Sequence, residues 1–337
     1  MRWRRLLLAV CCWYALDSQA QDVYTFKFAT LAPSGSTWMN IIEDWARQVE
    51  KDSHGRLVFK LYPGGVAGDE TDVLQKIHFG QYQGGAFTGY GIGHVYAPAR
   101  VLEIPFLFRN YAEIDYVRQR SMSGIEAGFH ENGYELLGWM EMGFVRFFSR
   151  KPIRNLEDLR KQRIWLWQGD PLGQAFFEAT NISPVPLSIT DVYTSLSTGM
   201  IDTVYATPLS AIAMQWFNKT KYVTDVPMAN GIGALLVSRK FFDPLPADLK
   251  ALLRSTGQAA GVRLVAETRR DNEKSLAVLR QNGLQFLMTD KDVDPAEFAK
   301  IRDQAALELA RSGYIPQPVF DRVRKLLGDY RASKPGV

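Results

Sequence analysis

The sequence predicts an α/β protein of two lobes that face each other across a central cleft, with one long helix bracing both. Three observations predict it. Strands and helices alternate through roughly the first hundred residues, the same alternation restarts after Gly143, and residues from about Pro246 to Asn282 keep helical periodicity with few breakers. At about 1.5 Å per residue, such a helix is long enough to reach both lobes. The 337 residues accommodate two domains of roughly 100–200 residues each, and a cleft between two lobes is a usual place for a small ligand.

The chain opens on a leader. Arg2, Arg4 and Arg5 make a basic start, Leu6 to Leu16 an apolar stretch, and Ser18-Gln19-Ala20 a small-x-small cleavage site, so residues 1–20 read as a signal peptide. The apolar stretch is about a dozen residues, short of the roughly 20 that span a bilayer, and no later segment reaches that length without charges. The exported protein is expected to be soluble and periplasmic. Both cysteines, Cys11 and Cys12, fall inside the leader, which leaves neither a disulfide nor a thiol ligand after cleavage. Leu8-Ala9-Val10-Cys11 loosely resembles a lipidation box, but Val10 is large where that box takes a small residue. Without three leader arginines and one aspartate the chain holds 37 basic and 35 acidic residues. With no basic run left there is no electrostatic footprint for nucleic acid.

Val23 to Ala29 alternates as a strand and is broken by Leu31-Ala32-Pro33-Ser34-Gly35-Ser36. Trp38, Ile41, Ile42, Trp45 and Val49 then stripe a helix ending near Ser53-His54-Gly55. Arg56 to Tyr62 is a second strand. Gly68-Asp69-Glu70 opens a helix through Val73, Leu74 and Ile77, where the acids suit its positive end, and Gly84 to Gly89 is a third strand. The second unit begins after Gly138 to Gly143. Its pieces are a strand at Arg163–Trp167, a helix at Leu172–Ala179, a short strand at Ser183–Leu187, a helix at Asp191–Thr198 and a strand at Ile201–Tyr205. Ala234 to Ser238 reads as a strand returning to the first lobe. The division is therefore lobe I, residues 21–143 plus about 233–270, and lobe II, residues 144–232 plus about 271–330.

In this order and spacing the chain resembles the substrate-binding component of tripartite ATP-independent periplasmic (TRAP) transporters, the C4-dicarboxylate-receptor-like family. The likeness runs almost end to end. It is carried by Ala32-Pro33, by Tyr62-Pro63-Gly64-Gly65 with Gly68-Asp69-Glu70, by Ile104-Pro105-Phe106-Leu107-Phe108, and by Lys151-Pro152-Ile153 with Leu156-Glu157-Asp158-Leu159. Asp191-Val192-Tyr193-Thr194-Ser195-Leu196 and Gly199-Met200-Ile201-Asp202 continue it. The resemblance implies a periplasmic-binding-protein-like fold with a closing cleft, no cofactor and no catalysis. It also implies delivery of the ligand to small and large integral-membrane subunits; a monomer is expected. A sensing subunit for a signalling receptor would have the same fold and pocket.

One departure bears on the ligand. Where the family carries an arginine that grips a carboxylate through two parallel hydrogen bonds, this chain has Trp165. Arg163 falls where the family has a solvent-facing lysine and does not inherit the role. The family's polar Glu-Asn-Pro is Tyr205-Ala206-Thr207-Pro208 here. A buried carboxylate without a partner costs several kcal/mol, so the favoured ligand is expected to shift from simple dicarboxylates toward a flatter or more apolar molecule. Trp165 and Trp167 share a strand face, Tyr205 and Trp216 join them, and Arg146 is the remaining candidate for holding an acid group. Phe87, Thr88, Tyr90, Gln168, Thr207, Ala32 and Asp69 complete the candidate ligand contacts.

Other chemistries find little support. Gly89-Tyr90-Gly91-Ile92-Gly93 misses the glycine spacing of a dinucleotide fingerprint. Asp290, Asp292 and Asp294 echo a calcium loop, but Pro295 stands where such a loop needs glycine, which makes this a solvated turn. His54, His78, His94 and His130 lack metal-ligand spacing, and there is no Gly-x-Ser-x-Gly elbow.

Overall fold

The computed structural model describes residues 22–334; the leader and Cys11 lie outside the described residues. Strand β1 (Tyr24–Thr30) buries Phe26 and Phe28 beneath helix α1 (Thr37–Asp52), whose buried stripe is Trp38, Ile41, Ile42, Trp45 and Val49. Ser36 caps α1 by accepting from the Met39 amide at 3.2 Å. Strand β2 (Leu57–Tyr62) and strand β3 (Gly84–Thr88) flank β1 in parallel, joined by α2 (Glu70–His78). A crossover between parallel strands gathers their carboxyl ends along one edge. Helix α3 (Gly89–Tyr96), a 3₁₀ turn (Ala97–Glu103) and α4 (Tyr111–Glu131) follow.

The next element decides the architecture. Strand β4 (Tyr134–Ser149) runs unbroken for 16 residues, where the sequence alone suggested that a new unit begins around Gly138 to Gly143. Beyond it lie α5 (Leu156–Arg160), β5 (Trp165–Trp167), α6 (Pro171–Ala179), β6 (Val185–Leu187), α7 (Val192–Thr198), β7 (Thr203–Ala206), α8 (Pro208–Ala213) and β8 (Tyr222–Thr224). Strand β9 (Ala229–Ser238) then returns along β4, followed by α9 (Arg239–Phe242), α10 (Ala247–Gln281), β10 (Gln285–Leu287), α11 (Pro295–Arg311) and α12 (Gln317–Ser333). The sheet order is β10-β8-β4-β9-β3-β1-β2, with β7 also on β4; β5 and β6 form a separate parallel pair. The first part of β4, through Val145, pairs antiparallel with β9, and Arg146 to Ser149 pairs with β7. One strand therefore belongs to both lobes.

The crossing point is narrow because glycines make it so. Gly143 pairs with Gly231 at a register shift, has φ +97°, and a Cβ there would lie 2.5 Å from the Asn272 amide nitrogen. That amide is occupied: Asn272 of α10 donates to the Met142 carbonyl at 2.8 Å and accepts from the Leu209 amide at 3.0 Å. Helix α10 has 35 residues, as its periodicity predicts, and crosses β4 backbone to backbone. A Cβ on Gly261 would meet the Trp139 carbonyl at 2.7 Å.

Helices α4, α11 and α12 are not resolved as elements by sequence patterning. Helix α11 packs on α6, and α12 on α4. Arg331 ties α12 down by donating to Glu113 at 2.7 and 2.9 Å and to the Leu107 carbonyl at 3.0 Å. Asp294 caps α11, with Pro295 in its first turn. Asp292 accepts from the Thr289 amide and hydroxyl in the turn that precedes this helix, so the run is a surface turn leading into a cap. Among the described residues no helix is long and apolar enough to cross a membrane.

Glu141 of β4 is fully buried and takes two bonds from Arg269 of α10, each at 2.8 Å, while Arg269 also grips Asp115 of α4. Removing one partner strands a buried charge. Arg269→Ala is expected to lower unfolding stability by about 3 kcal/mol, and adding Glu141→Gln to recover part of the loss; urea titration of the three proteins checks this, and equal losses in single and double variants would contradict the pairing.

Candidate functional site

Strands β1, β3 and β5 direct their carboxyl ends toward a cavity of about 170 Å³ between the two halves of the sheet. Its first wall comes from Leu31, Ala32 and Pro33 after β1, Trp38 of α1, Phe87 to Tyr90 at the end of β3, and Arg100 and Glu103 of the 3₁₀ turn. Met140, Met142 and Val145 of β4 form the floor. The second wall is Trp165 and Trp167 of β5, Asp170, Ile189, Tyr205 of β7, Thr207, Ser210, Met214 and Trp216.

The aromatic side chains form one packed group. The Trp165 ring stacks on Tyr205 at 4.7 Å and 17° and meets Trp216 edge-on at 5.4 Å. Its indole nitrogen donates to the Leu187 carbonyl at 3.0 Å, so the polar atom is satisfied within β6 and the ring borders the cavity. Trp167 stacks on Tyr90 at 4.5 Å and 22°. The Tyr205 hydroxyl accepts from the Trp167 amide at 3.1 Å, and burial drives its ionisation far above the usual range for a phenol.

Polar contacts bridge the two walls beside this group. Asp69 caps α2 and shares a capping box with Asp72. Its carboxylate also accepts from the Trp167 indole at 3.1 and 3.2 Å, from the Ser188 hydroxyl at 2.6 Å and from the Ile189 amide at 3.2 Å. The Tyr90 hydroxyl donates to the Gln168 carbonyl at 2.8 Å. Arg100, 4% exposed, donates through Nε to Glu103 at 2.7 Å and through both terminal nitrogens to Asp170, which caps α6. Apart from the helix caps and the bond to Glu103, each of these bonds joins a residue before β4 to one after it.

Nine of the twelve sequence candidates border the cavity: Ala32, Phe87, Thr88, Tyr90, Trp165, Trp167, Tyr205, Thr207 and Trp216. Three do not. Asp69 is buried behind Trp167 with its oxygens occupied, and Gln168 is exposed and uses its carbonyl on Tyr90. Arg146 is the third. It alternates with Val145 on β4, so its side chain leaves by the opposite face, where it donates to the Thr224 carbonyl at 3.1 Å and lies 3.6 Å from Asp225. Arg163 is exposed and pairs with Asp202 at 3.3 Å.

Sequence reasoning missed Arg100, Glu103 and Asp170 altogether and read Glu70 only as a helix-cap residue. Glu70 is 2% exposed and accepts from the Thr88 amide at 2.7 Å, the Thr88 hydroxyl at 2.9 Å and the Gly91 amide at 2.6 Å. Desolvation still outweighs those donors and pushes its carboxyl up to about 7. Four ionisable groups that face one cavity from three separate segments leave no periodic trace. The Gly68-Asp69-Glu70 motif was the one available signal.

The profile of the family described as "Bacterial extracellular solute-binding protein, family 7" matches residues 28–306. A "Solute-binding protein" of Verminephrobacter eiseniae is 25% identical over 322 residues, covering 92% of this chain and 95% of its own. The C4-dicarboxylate-binding periplasmic protein DctP of Rhodobacter capsulatus is 25% identical, covering 83% and 80%. Among solved structures, DctP7 of Bordetella pertussis, an extracytoplasmic solute receptor binding pyroglutamic acid, superposes with a TM-score of 0.82 at 16% identity, covering 91% of this chain and all of that one. At that identity the structural likeness speaks for the two-lobed fold.

A carboxyl whose folded pKa is raised binds protons that the unfolded chain has already released, so Glu70 favours the folded state less as pH climbs from about 4.5 to about 7. The stability of Glu70→Gln relative to the parent is expected to rise across that window by about 1 kcal/mol per pH unit at its steepest. Denaturant titrations of both proteins at pH 4.5, 6 and 7.5 measure it, and a difference independent of pH would contradict this environment for Glu70.

Proposed function

The chain belongs to the bacterial extracellular solute-binding proteins of family 7, the DctP family of TRAP receptors, and we propose that it works in the periplasm, freed from residues 1–20, by closing its two lobes on one small molecule. Closure would present the loaded receptor to the small and large membrane subunits of its transporter, where ligand is released for uptake. The reading is of stoichiometric binding without turnover.

The observation that carries this reading is the aromatic group of Trp165, Tyr205, Trp167 and Tyr90 bordering a cavity between walls drawn from both halves of the chain. Tyr90 comes from before the shared strand β4 and the other three from after it, so a ligand that touches all four holds the halves together. Relatives bind organic acids by name, such as 2,3-diketo-L-gulonate for a periplasmic protein of Escherichia coli. In this chain Trp165 stands where the family resemblance puts a carboxylate-gripping arginine. A flat body lying against the rings gains contact area without requiring a buried countercharge.

A ligand that binds only the folded protein stabilises it by about 2.7 kcal/mol at a hundredfold excess over Kd. Thermal-shift screening of aromatic acids, keto acids, amides and apolar metabolites is therefore expected to reveal at least one compound that raises Tm by several degrees. Trp165→Ala should weaken that compound by roughly one to two orders of magnitude, in keeping with the cost of removing a buried aromatic. Trp165→Arg should raise affinity for small carboxylates relative to it, read by calorimetry. Unchanged preference in Trp165→Arg would remove Trp165 from the site.

A further inference from the structure

The charged side chains that line the cleft are already matched to one another. Among the described residues Arg100 is the sole cationic side chain on the cavity wall, against the carboxylates of Glu70, Glu103 and Asp170. Four of its five N–H groups are spoken for: Nε donates to Glu103, both terminal nitrogens donate to Asp170, and one of them also to the Tyr314 hydroxyl at 3.2 Å. The acids are occupied as well. The second oxygen of Glu103 accepts from the Ile232 amide at 2.9 Å, Asp170 accepts from the Leu172 amide at 3.1 Å, and Glu70 takes its three bonds from Thr88 and Gly91.

An entering carboxylate would meet an excess of negative charge and no free donor cation. To grip it through two parallel hydrogen bonds, Arg100 must give up one it makes now, and release of Glu103 or Asp170 strands a buried carboxylate with its water already removed. An entering ammonium would meet a favourable field but would have to shed its own hydration in a cavity bounded chiefly by apolar side chains, where the acid oxygens are already hydrogen-bonded. One face of each principal indole is also taken, Trp165 by Tyr205 and Trp167 by Tyr90, which argues against rings arranged to surround a cation. An uncharged molecule meets neither penalty.

We propose that this cleft takes an uncharged ligand with a flat, largely apolar body, and that the Arg100–Glu103–Asp170 cluster is the specificity device that turns organic acids away. The proposal rests on the receptor reading above and narrows it. It also separates two jobs a buried arginine can do in such a cleft: here the guanidinium joins protein to protein across the cavity, and it is not left open for cargo.

The test uses matched triplets that share one body and differ in charge: indole-3-acetamide, indole-3-acetate and tryptamine, with 2-naphthamide, 2-naphthoate and 2-naphthylmethylamine as a second series. Calorimetry on the exported protein at pH 7.5 is expected to show the amide of at least one series binding ten times or more tighter than its acid and its amine. Acids or amines that match or exceed their amides overturn the proposal and leave the receptor reading intact. Absence of binding by all six overturns the proposal, and only the broader metabolite screen then decides the receptor reading.

Asp170→Asn keeps an N-cap residue on α6 while releasing the guanidinium. It should move the acid-to-amide affinity ratio at least tenfold toward the acid; should that variant not fold, Glu103→Gln is read in the same way. A ratio unchanged in a variant that melts cooperatively overturns the role given to the cluster.

Discussion

A guanidinium taken out of water has to be surrounded by acceptors, and Arg100 finds its two carboxylates on different parts of the chain. Glu103 lies three residues away on the same 3₁₀ turn, while Asp170 arrives from the loop after β5, 70 residues on. Desolvation opposes the charge and the two carboxylates restore it, holding the guanidinium's pKa well above its ordinary value. The contact ties the two walls of the cleft together through buried charge. Asp69 repeats the device on a smaller scale. A helix-capping carboxylate has lone pairs to spare, and the structure spends them on Trp167, Ser188 and Ile189 across the cleft.

The same loop that these acids hold also carries the rings. Trp167 and Asp170 are three residues apart, so the contacts that fix the loop fix the indole that stacks on Tyr90. Position and charge are thereby set by one local arrangement. The cavity gains rigid aromatic walls, and the charged groups beside them are hydrogen-bonded within the protein. Trp165 is visible in the sequence, and the internal pairing of Arg100 is not.

Movement between the lobes has few places to occur. Strand β4 is shared, β9 runs beside it, and α10 crosses both with glycines at the closest approach. The Gly143–Gly231 pair lies at a register shift next to the point where β4 changes partners from β9 to β7. Glycines tolerate the backbone angles that a bend there demands, and Asn272 braces the spot from the helix. A rigid brace on one side and a pliable strand pair on the other suit a cleft that opens by hinging.

The sequence by itself determined the first strand–helix units, the long α10, the start of α2 at Asp69 and the presence of large aromatics at Trp165, Trp167 and Tyr205. These are local properties, written in periodicity, caps and breakers within a few residues of one another. Its resemblance to a receptor family also carried the two-lobed fold. What it did not determine was the unbroken course of β4, because the glycines that read as a boundary act there as a bulge, and a bulge is recognised only from the strand it pairs with. Nor did it determine that Arg146 leaves the cleft while Arg100 enters it. Both are single arginines in unremarkable surroundings, and which one faces the cavity depends on strand phase in the first case and on an acid 70 residues distant in the second. Charge pairing across a cleft is a property of three-dimensional proximity, and only the tertiary structure decides it.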